Sequence, residues 1–212
     1  MDSRIAIKQL KKLEDMTLGL NIRLAAEWED PWKVLIATIL SAQNRDTRTI
    51  YICENYLFKK YPTPEKLGRA RLDSIEKIIR SINYYKTKAR HIKETAKIIS
   101  KEGIPNKVED LIKLPGVGRK TANVYLVHVK RAAAIGVDTH VGRISRKLYW
   151  TKEKDPHKVE KDLMKLFPNK YWNSINYILV RFGQTFGRSS RKEDEVLKEL
   201  FSVPANRFLT SF

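Results

Sequence analysis

One segment near the middle of the chain carries more structural information than any other, and it reads Leu114-Pro115-Gly116-Val117-Gly118-Arg119-Lys120-Thr121-Ala122-Asn123-Val124. Gly116 and Gly118 predict a tight turn with positive φ, and the helical periodicity of apolar residues resumes over 119–129. Just before the segment, residues 106–109 match a capping box, with the N-cap first and an acid last, so a short helix should end at about Lys113. The sequence therefore predicts a helix, a glycine-rich hairpin and a second helix in succession.

The remaining chain has the same helical character. Apolar residues recur at helical spacing and Gly and Pro fall between the periodic stretches, which predicts about ten helices and no sheet. The apolar run over 32–40, which follows Pro31, does not alternate as a strand would, and it indicates a buried central helix. Residues 46–60 and 84–101 have the pattern of amphipathic helices. We therefore expect an all-α protein.

The charge balance indicates a polyanionic partner. The 212 residues include 42 Lys and Arg against 24 Asp and Glu, a net charge of +18, and the basic residues are spread over the whole chain. Nucleic acid is the expected partner, because the alternative, the lysine-rich surface of a heat-adapted protein, accounts less well for so large a surplus. No apolar run approaches the ~20 residues of a membrane span, so we expect no membrane contact and a cytoplasmic, nucleoid-associated protein.

The hairpin is expected to bind phosphate through its backbone. Gly116, Val117, Gly118 and Arg119 leave main-chain N–H groups at the positive end of a helix, where they can hold a DNA backbone without reading its sequence. An ordinary glycine-rich turn between two helices is the alternative.

Two titratable residues are the candidate reactive groups. Lys120 lies in the first turn of the predicted helix, where the helix dipole and Arg119 both favour its neutral amine. A neutral lysine is a nucleophile that forms Schiff bases, whereas a surface lysine that touches phosphate is the alternative. Asp138 should be the N-cap of a later helix that carries Arg143. Alone it is a structural cap, but opposite Lys120 it could also serve catalysis.

Residues 114–124, together with Val137-Asp138-Thr139-His140, resemble the helix-hairpin-helix, Gly-Pro-rich loop and aspartate signature of the endonuclease III glycosylases. The resemblance extends over roughly residues 22 to 187, since 40–43, the Asp46 region and Lys88-Ala89 also match. It implies the helix-hairpin-helix DNA glycosylase fold, with two helical domains and a DNA-binding cleft between them. The helical bundle would span 22–131 and contain the helix-hairpin-helix at 106–130. The second domain would combine 1–21 with 132–212.

The resemblance also implies an activity in base excision repair. The family's lysine nucleophile falls on Lys120 and its aspartate on Asp138. A damaged base, by default an oxidised pyrimidine, would be flipped out of double-stranded DNA. Lys120 would displace it through a Schiff base, and β-elimination would nick the strand. The protein would thus be a glycosylase and abasic-site lyase, acting as a monomer.

Further family positions imply DNA contacts. Gln43 matches the residue that fills the space left by the flipped base. Tyr84 would stack on the orphaned partner base, in a turn where Asn83 replaces the family's usual Gly and tolerates left-handed geometry; alternatively, Tyr84 and Tyr85 pack between helices. The other expected DNA contacts are His140, Arg143 and Arg188.

No catalytic cofactor is implied. The family resemblance implies a structural monovalent or alkaline-earth cation, held by the carbonyls of Ile112, Leu114 and Val117. Many relatives carry four cysteines that ligate an iron–sulfur cluster just after the segment matching 182–187. Here Cys53 is the only cysteine, so we expect no cluster and a buried Cys53. Apolar packing should replace the cluster in the tail, through Leu197, Leu200, Phe201 and Phe208.

Other functions remain compatible with these residues. In a monofunctional glycosylase, Asp138 would activate water and Lys120 would only neutralise phosphate. The substrate could instead be an oxidised purine or a thymine or uracil opposite guanine. A non-catalytic helix-hairpin-helix module that packages DNA or recruits other proteins would need the charge and the hairpin but neither reactive residue.

Overall fold

The computed structural model describes residues 1–20, 22–130, 132–187 and 189–201, and no β-strand occurs in these ranges. The predicted all-α class is confirmed. The α-helices are α1 Ser3–Thr17, α2 Pro31–Ser41, α3 Asp46–Ile52, α4 Phe58–Lys60, α5 Pro64–Arg69, α6 Leu72–Ile78, α7 Tyr85–Glu102, α8 Val108–Leu111, α9 Arg119–Lys130, α10 Thr139–Lys147, α11 Pro156–Leu166, α12 Trp172–Phe186 and α13 Ser190–Phe201. A π turn, Cys53–Leu57, joins α3 to α4, and a 3-10 turn, Asn169–Tyr171, precedes α12.

The chain divides into two compact units. We call Ile22–Gly136 the hairpin unit, and Met1–Asn21 with Val137–Phe212 the terminal unit. The sequence predicted that the first domain ends at residue 131, whereas the hairpin unit ends at Gly136. The domain assignment made from the sequence stays a prediction.

Helix α2 is the centre of the hairpin unit, as the apolar run predicted. Pro31 occupies its first turn, and every residue from Val34 to Leu40 is buried. The helix packs against α7 and α9. Each fully buried Leu or Ile contributes about 1.5–3 kcal/mol relative to an exposed one. This core fixes the positions of α9, which follows the hairpin, and of α7, which packs against it.

The predicted helix over 46–60 is present, but a π turn interrupts it. The N–H of Phe58 donates to the carbonyl of Cys53, five residues earlier. Cys53 is fully buried, which confirms its expected role as a small apolar residue, and burial raises the pKa of its thiol.

Two local predictions around the hairpin are wrong. Helix α8 begins at Val108, with Lys107 as an N-cap that makes no side-chain bond, so Asn106 does not head a capping box. Glu109 then occupies the second helical position, whereas a capping box needs its acid at the third. In the hairpin only Gly116 has a positive φ, of 78°, and Gly118 does not.

The terminal unit is held by α12, which contacts α1, α10 and α13. Of the apolar residues expected to hold the tail, Leu197 is buried while Leu200 and Phe201 are half-buried. Phe208 lies outside the described residues. Apolar packing therefore helps to hold α13 in the terminal unit, but fewer apolar residues are buried there than the sequence predicted.

A buried carboxylate that sequence reasoning missed completes this packing. Glu193 on α13 is fully buried, and it accepts hydrogen bonds from Arg143 Nε at 2.9 Å and Arg143 Nη2 at 2.7 Å. Lys147 Nζ lies 2.8 Å from its Oε1. A Cβ on Gly187 would lie 2.8 Å from Oε2, so glycine is required beside this ion pair.

We predict that Glu193→Gln destabilises the protein by about 2–3 kcal/mol, as measured by urea unfolding. Breaking a buried ion pair costs about 3–5 kcal/mol, and the partial exposure of Arg143 and Lys147 reduces this cost. The matched control is Glu195→Gln, which breaks the exposed pair with Arg191 and should change stability little. Equal effects of the two substitutions would contradict the assignment.

The same pair predicts a pH dependence. Burial alone would raise the pKa of Glu193, but Arg143 and Lys147 hold it below its usual range. The stability that Glu193 contributes is therefore complete at neutral pH and is lost as the pH falls through the lowered pKa. The difference between wild type and Glu193→Gln should shrink in acid.

Candidate nucleic-acid interface

The hairpin is shaped by close packing against α7. A Cβ on Gly116 would lie 2.8 Å from His91 Nδ1, so this position needs glycine for space as well as for its φ. Thr95, one turn further along α7, donates from Oγ1 to the Pro115 carbonyl at 2.8 Å. Sequence reasoning missed this support, although the spacing of His91 and Thr95 on one helix face is a signal for it.

Helix α9 starts directly after the hairpin and carries Lys120 as its second residue. Lys120 is half-buried, and no described residue forms a hydrogen bond or ion pair with it. The first turn of α9 contains no acidic residue, so the positive end of the helix dipole is not compensated there. Gly116, Gly118 and Arg119 are exposed, whereas Val117 is buried.

Asp138 caps α10, as predicted. Its Oδ1 accepts the N–H of Val141 at 2.9 Å, and the residue is half-buried. Among the described residues, none donates a hydrogen bond to its Oδ2. One carboxylate oxygen thus holds the helix start, and the second can face a developing positive charge.

His140 and Arg143 lie on the same face of α10. Arg143 Nη2 is 3.2 Å from His140 Nδ1, and a Cβ on Gly183 would overlap the His140 ring. Because Glu193 occupies two nitrogens of Arg143, its guanidinium is less available for phosphate than the sequence suggested. Contact of either residue with DNA stays a prediction, and Arg188 lies outside the described residues.

Gln43 and Tyr84 form an exposed pair of left-handed residues in the hairpin unit. Their φ angles are 56° and 58°, and Tyr84 is 68% exposed. The sequence expected the left-handed geometry at Asn83, which is wrong by one residue. The alternative in which both tyrosines pack between helices fails for Tyr84 and holds for Tyr85, which packs against the core.

A hydrogen-bond network connects the two turns of this pair. Asn83 donates from its backbone to Asn44 Oδ1 at 2.9 Å and from Nδ2 to the Gln43 carbonyl at 2.8 Å. Left-handed geometry costs a non-glycine residue roughly 1–2 kcal/mol, so it persists where neighbouring bonds maintain it. Asn83 supplies two of these bonds.

Lys88 stabilises the turn that precedes Gln43. Its Nζ donates to the carbonyls of Leu40 at 2.8 Å and Ala42 at 2.5 Å, which are left open where α2 ends. Burial lowers the pKa of Lys88 to about 8. In the sequence, Lys88 was only one of the residues that resemble the endonuclease III family. Its two hydrogen bonds explain why a lysine occupies this buried position.

The residues present do not fit a cysteine-ligated cluster, since Cys53 is the only cysteine and it is buried in the hairpin unit. Within the described ranges, no three His, Cys, Asp or Glu side chains converge to form a metal site. At the hairpin, the Leu114 carbonyl accepts the N–H of Val117 at 3.1 Å. Ile112 is exposed.

Over the residues that the structure describes, no helix is both long enough and apolar enough to cross a bilayer.

Comparison with known proteins supports the resemblance seen in the sequence. Residues 36–169 match the model of the HhH-GPD superfamily base excision DNA repair proteins. An endonuclease III from Thermotoga maritima is 39% identical, over 81% of this chain and 80% of that relative. One from Synechocystis sp. is 38% identical, over 74% of each chain.

A solved structure agrees with these relatives. The trapped endonuclease III–DNA covalent intermediate with an estranged adenine superposes with a TM-score of 0.81 and 32% identity, over 90% of both chains. The predicted resemblance to endonuclease III is thereby confirmed. On sequence and structure together, the chain belongs to the HhH-GPD superfamily of base excision DNA repair proteins.

Proposed function

We propose that this protein is a bifunctional DNA glycosylase and abasic-site lyase that removes a damaged base, by preference an oxidised pyrimidine, from double-stranded DNA. The observation that carries the proposal is Lys120, a half-buried amine near the uncompensated start of α9, directly after the hairpin. Membership of a base excision repair superfamily supports it.

In the proposed reaction, Lys120 Nζ attacks C1′ as a neutral amine, and the bond between C1′ and the base breaks. The base leaves with the bonding electrons and takes up a proton. Asp138 stabilises the positive charge that develops on the sugar. The sugar ring opens to give an imine, loss of a C2′ proton expels the 3′ phosphate, and water then releases Lys120.

The hairpin would hold the DNA backbone beside the reacting nucleotide. The exposure of Gly116, Gly118 and Arg119 supports this role, since main-chain donors bind phosphate of any sequence. The net charge of +18 would supply the remaining, salt-dependent affinity. His140, Arg143 and Arg188 complete the proposed DNA-binding set. Val117, which the sequence also placed in this set, is buried, and its N–H already bonds the Leu114 carbonyl.

Gln43 and Tyr84 would occupy the space that the flipped base leaves in the duplex. Gln43 offers an amide for the orphaned base, and the exposed ring of Tyr84 offers a stacking surface. The bonds of Asn83 would hold both residues ready before DNA binds, which lowers the conformational cost of insertion.

The proposed chemistry uses protein groups and water alone. It needs no iron–sulfur cluster; a cation held by the carbonyls of Ile112, Leu114 and Val117 would only support the hairpin. We further propose the two-domain division made from the sequence, a monomer, and a cytoplasmic, nucleoid-associated location.

Lys120→Gln should abolish the covalent complex that borohydride traps with abasic DNA, because the amide cannot form an imine. The complex is measured as a mobility shift on a denaturing gel. Lys130→Gln, at the exposed end of the same helix, is the control and should trap normally. Efficient base release by wild type without any trapping would reject the lyase and favour a monofunctional enzyme.

Asp138→Asn should slow base release about 10²–10³-fold, because the carboxylate charge is lost, while folding stability changes little, since Asn also caps helices. Single-turnover kinetics on a defined-lesion duplex give the rate, and thermal unfolding gives the stability. Asp155→Asn alters the equivalent cap of α11 and should leave the rate unchanged. A normal rate in Asp138→Asn would remove Asp138 from the reaction.

Asn83→Ala should lower kcat/KM on a damaged duplex about 5- to 10-fold, the equivalent of one lost hydrogen bond of about 1 kcal/mol. Trapping on single-stranded abasic DNA should not change, because no orphaned base must then be accommodated. The control is Asn55→Ala, which removes one exposed side-chain bond. Equal losses on both substrates would show that Asn83 acts on general folding instead.

A further inference from the structure

The hairpin unit contains a second concave surface that the proposed reaction does not use. It is an open groove of about 630 Å³ beside the α3–π–α4 helix and α6. We call it the tyrosine groove, because Tyr51 and Tyr56 line it with exposures of 56% and 50%. Aromatic side chains that line a concave surface are a common feature of ligand-binding sites.

The π turn brings these two tyrosines together. In a regular α-helix, residues five apart point in directions that differ by about 140°. The i to i+5 bonding of the π turn returns the fifth residue to the same face. The ring centroids of Tyr51 and Tyr56 are 5.8 Å apart and their hydroxyls are within 3.3 Å.

The tyrosine groove is also positively charged. Arg48, Lys60 and Lys77 line it, and no acidic residue does. Lys60 Nζ donates to Ser74 Oγ at 2.8 Å and Arg48 Nη1 to the Ser81 carbonyl at 3.2 Å. Both partners are neutral, and none of the three cations forms an ion pair within the described ranges. Asp73 lies close enough to Lys77 for that cation to help to lower the pKa of the carboxyl, but Asp73 does not line the groove, so the lining carries a surplus of positive charge that favours an anionic ligand.

We propose that the tyrosine groove binds an unpaired nucleotide of single-stranded DNA, with the base against Tyr51 or Tyr56 and the phosphate near the cations. Stacking on tyrosine accepts any base, and basic side chains follow the phosphate backbone. Ser81 lines one edge of the groove and accepts the bond from Arg48, and it precedes Asn83 by two residues in the chain. The groove therefore adjoins the turn of Tyr84, and a strand held there can continue from a lesion site.

The test is a comparison of two fluorescent octamers, one of thymidylate and one of abasic tetrahydrofuran units, in an anisotropy titration. The full chain carries Lys120→Gln, so that no reaction occurs. Tyr51→Ala with Tyr56→Ala should weaken thymidylate binding about 5-fold or more and leave abasic binding unchanged. Lys77→Met should weaken both and reduce the salt slope by about one. Tyr177→Ala, an exposed tyrosine of the terminal unit, is the control.

The conservative double variant Tyr51→Phe with Tyr56→Phe keeps both aromatic rings. It should bind thymidylate as tightly as the Lys120→Gln parent, which would show that the loss in the double alanine variant comes from lost stacking and not from misfolding. Unchanged thymidylate binding in the double alanine variant overturns the proposal. Octaglutamate is titrated in parallel. If the double alanine variant lost affinity for octaglutamate alone, that result would also overturn the proposal and would indicate an acidic protein partner. On a blunt damaged duplex, the double alanine change in otherwise wild-type protein should leave excision intact, so failure of the groove and failure of the glycosylase are distinguishable.

Discussion

The contact between Gly116 and His91 is the constraint on which the hairpin geometry depends. A side chain at residue 116 would collide with the imidazole and would also be strained at a φ of 78°. Because α7 supports the hairpin through His91 and Thr95, and α7 packs on the buried α2, the start of α9 is tied to the core of the hairpin unit. Lys120 is therefore presented by a rigid element and not by a loose loop, which positions a nucleophile with little loss of entropy.

Two residues with strained backbone geometry lie where the proposed function needs exposed side chains, and a third, Tyr149, lies in the terminal unit. Gln43 and Tyr84 adopt left-handed geometry without being glycine, and the bonds of Asn83 and Lys88 maintain the turns around them. Asn83 bonds the Gln43 carbonyl through its side-chain amide and so joins the two turns.

In the terminal unit, ion pairing accompanies apolar packing. Glu193 joins α13 to Arg143 and Lys147 on α10, whose first residue follows Asp138. This links the orientation of the capped helix to a buried carboxylate. Such a pair specifies one arrangement of α13, since any shift would leave a buried charge without its partner.

The sequence by itself determined the all-α class, the buried central helix, the order of hairpin and helix, the cap at Asp138 and the family. These features depend on local periodicity, on glycine and on short motifs, which one segment of chain contains in full. Only the tertiary structure decided that Tyr84 is the left-handed residue, that Glu193 is buried and that Asn83 joins two turns. Each of these depends on residues far apart in the chain, and a charged or polar residue in a sequence gives no sign of the partner that folding brings to it. The capping box at Asn106 failed for a local reason, because a shift of one residue in the helix start removes the geometry that the motif assumes.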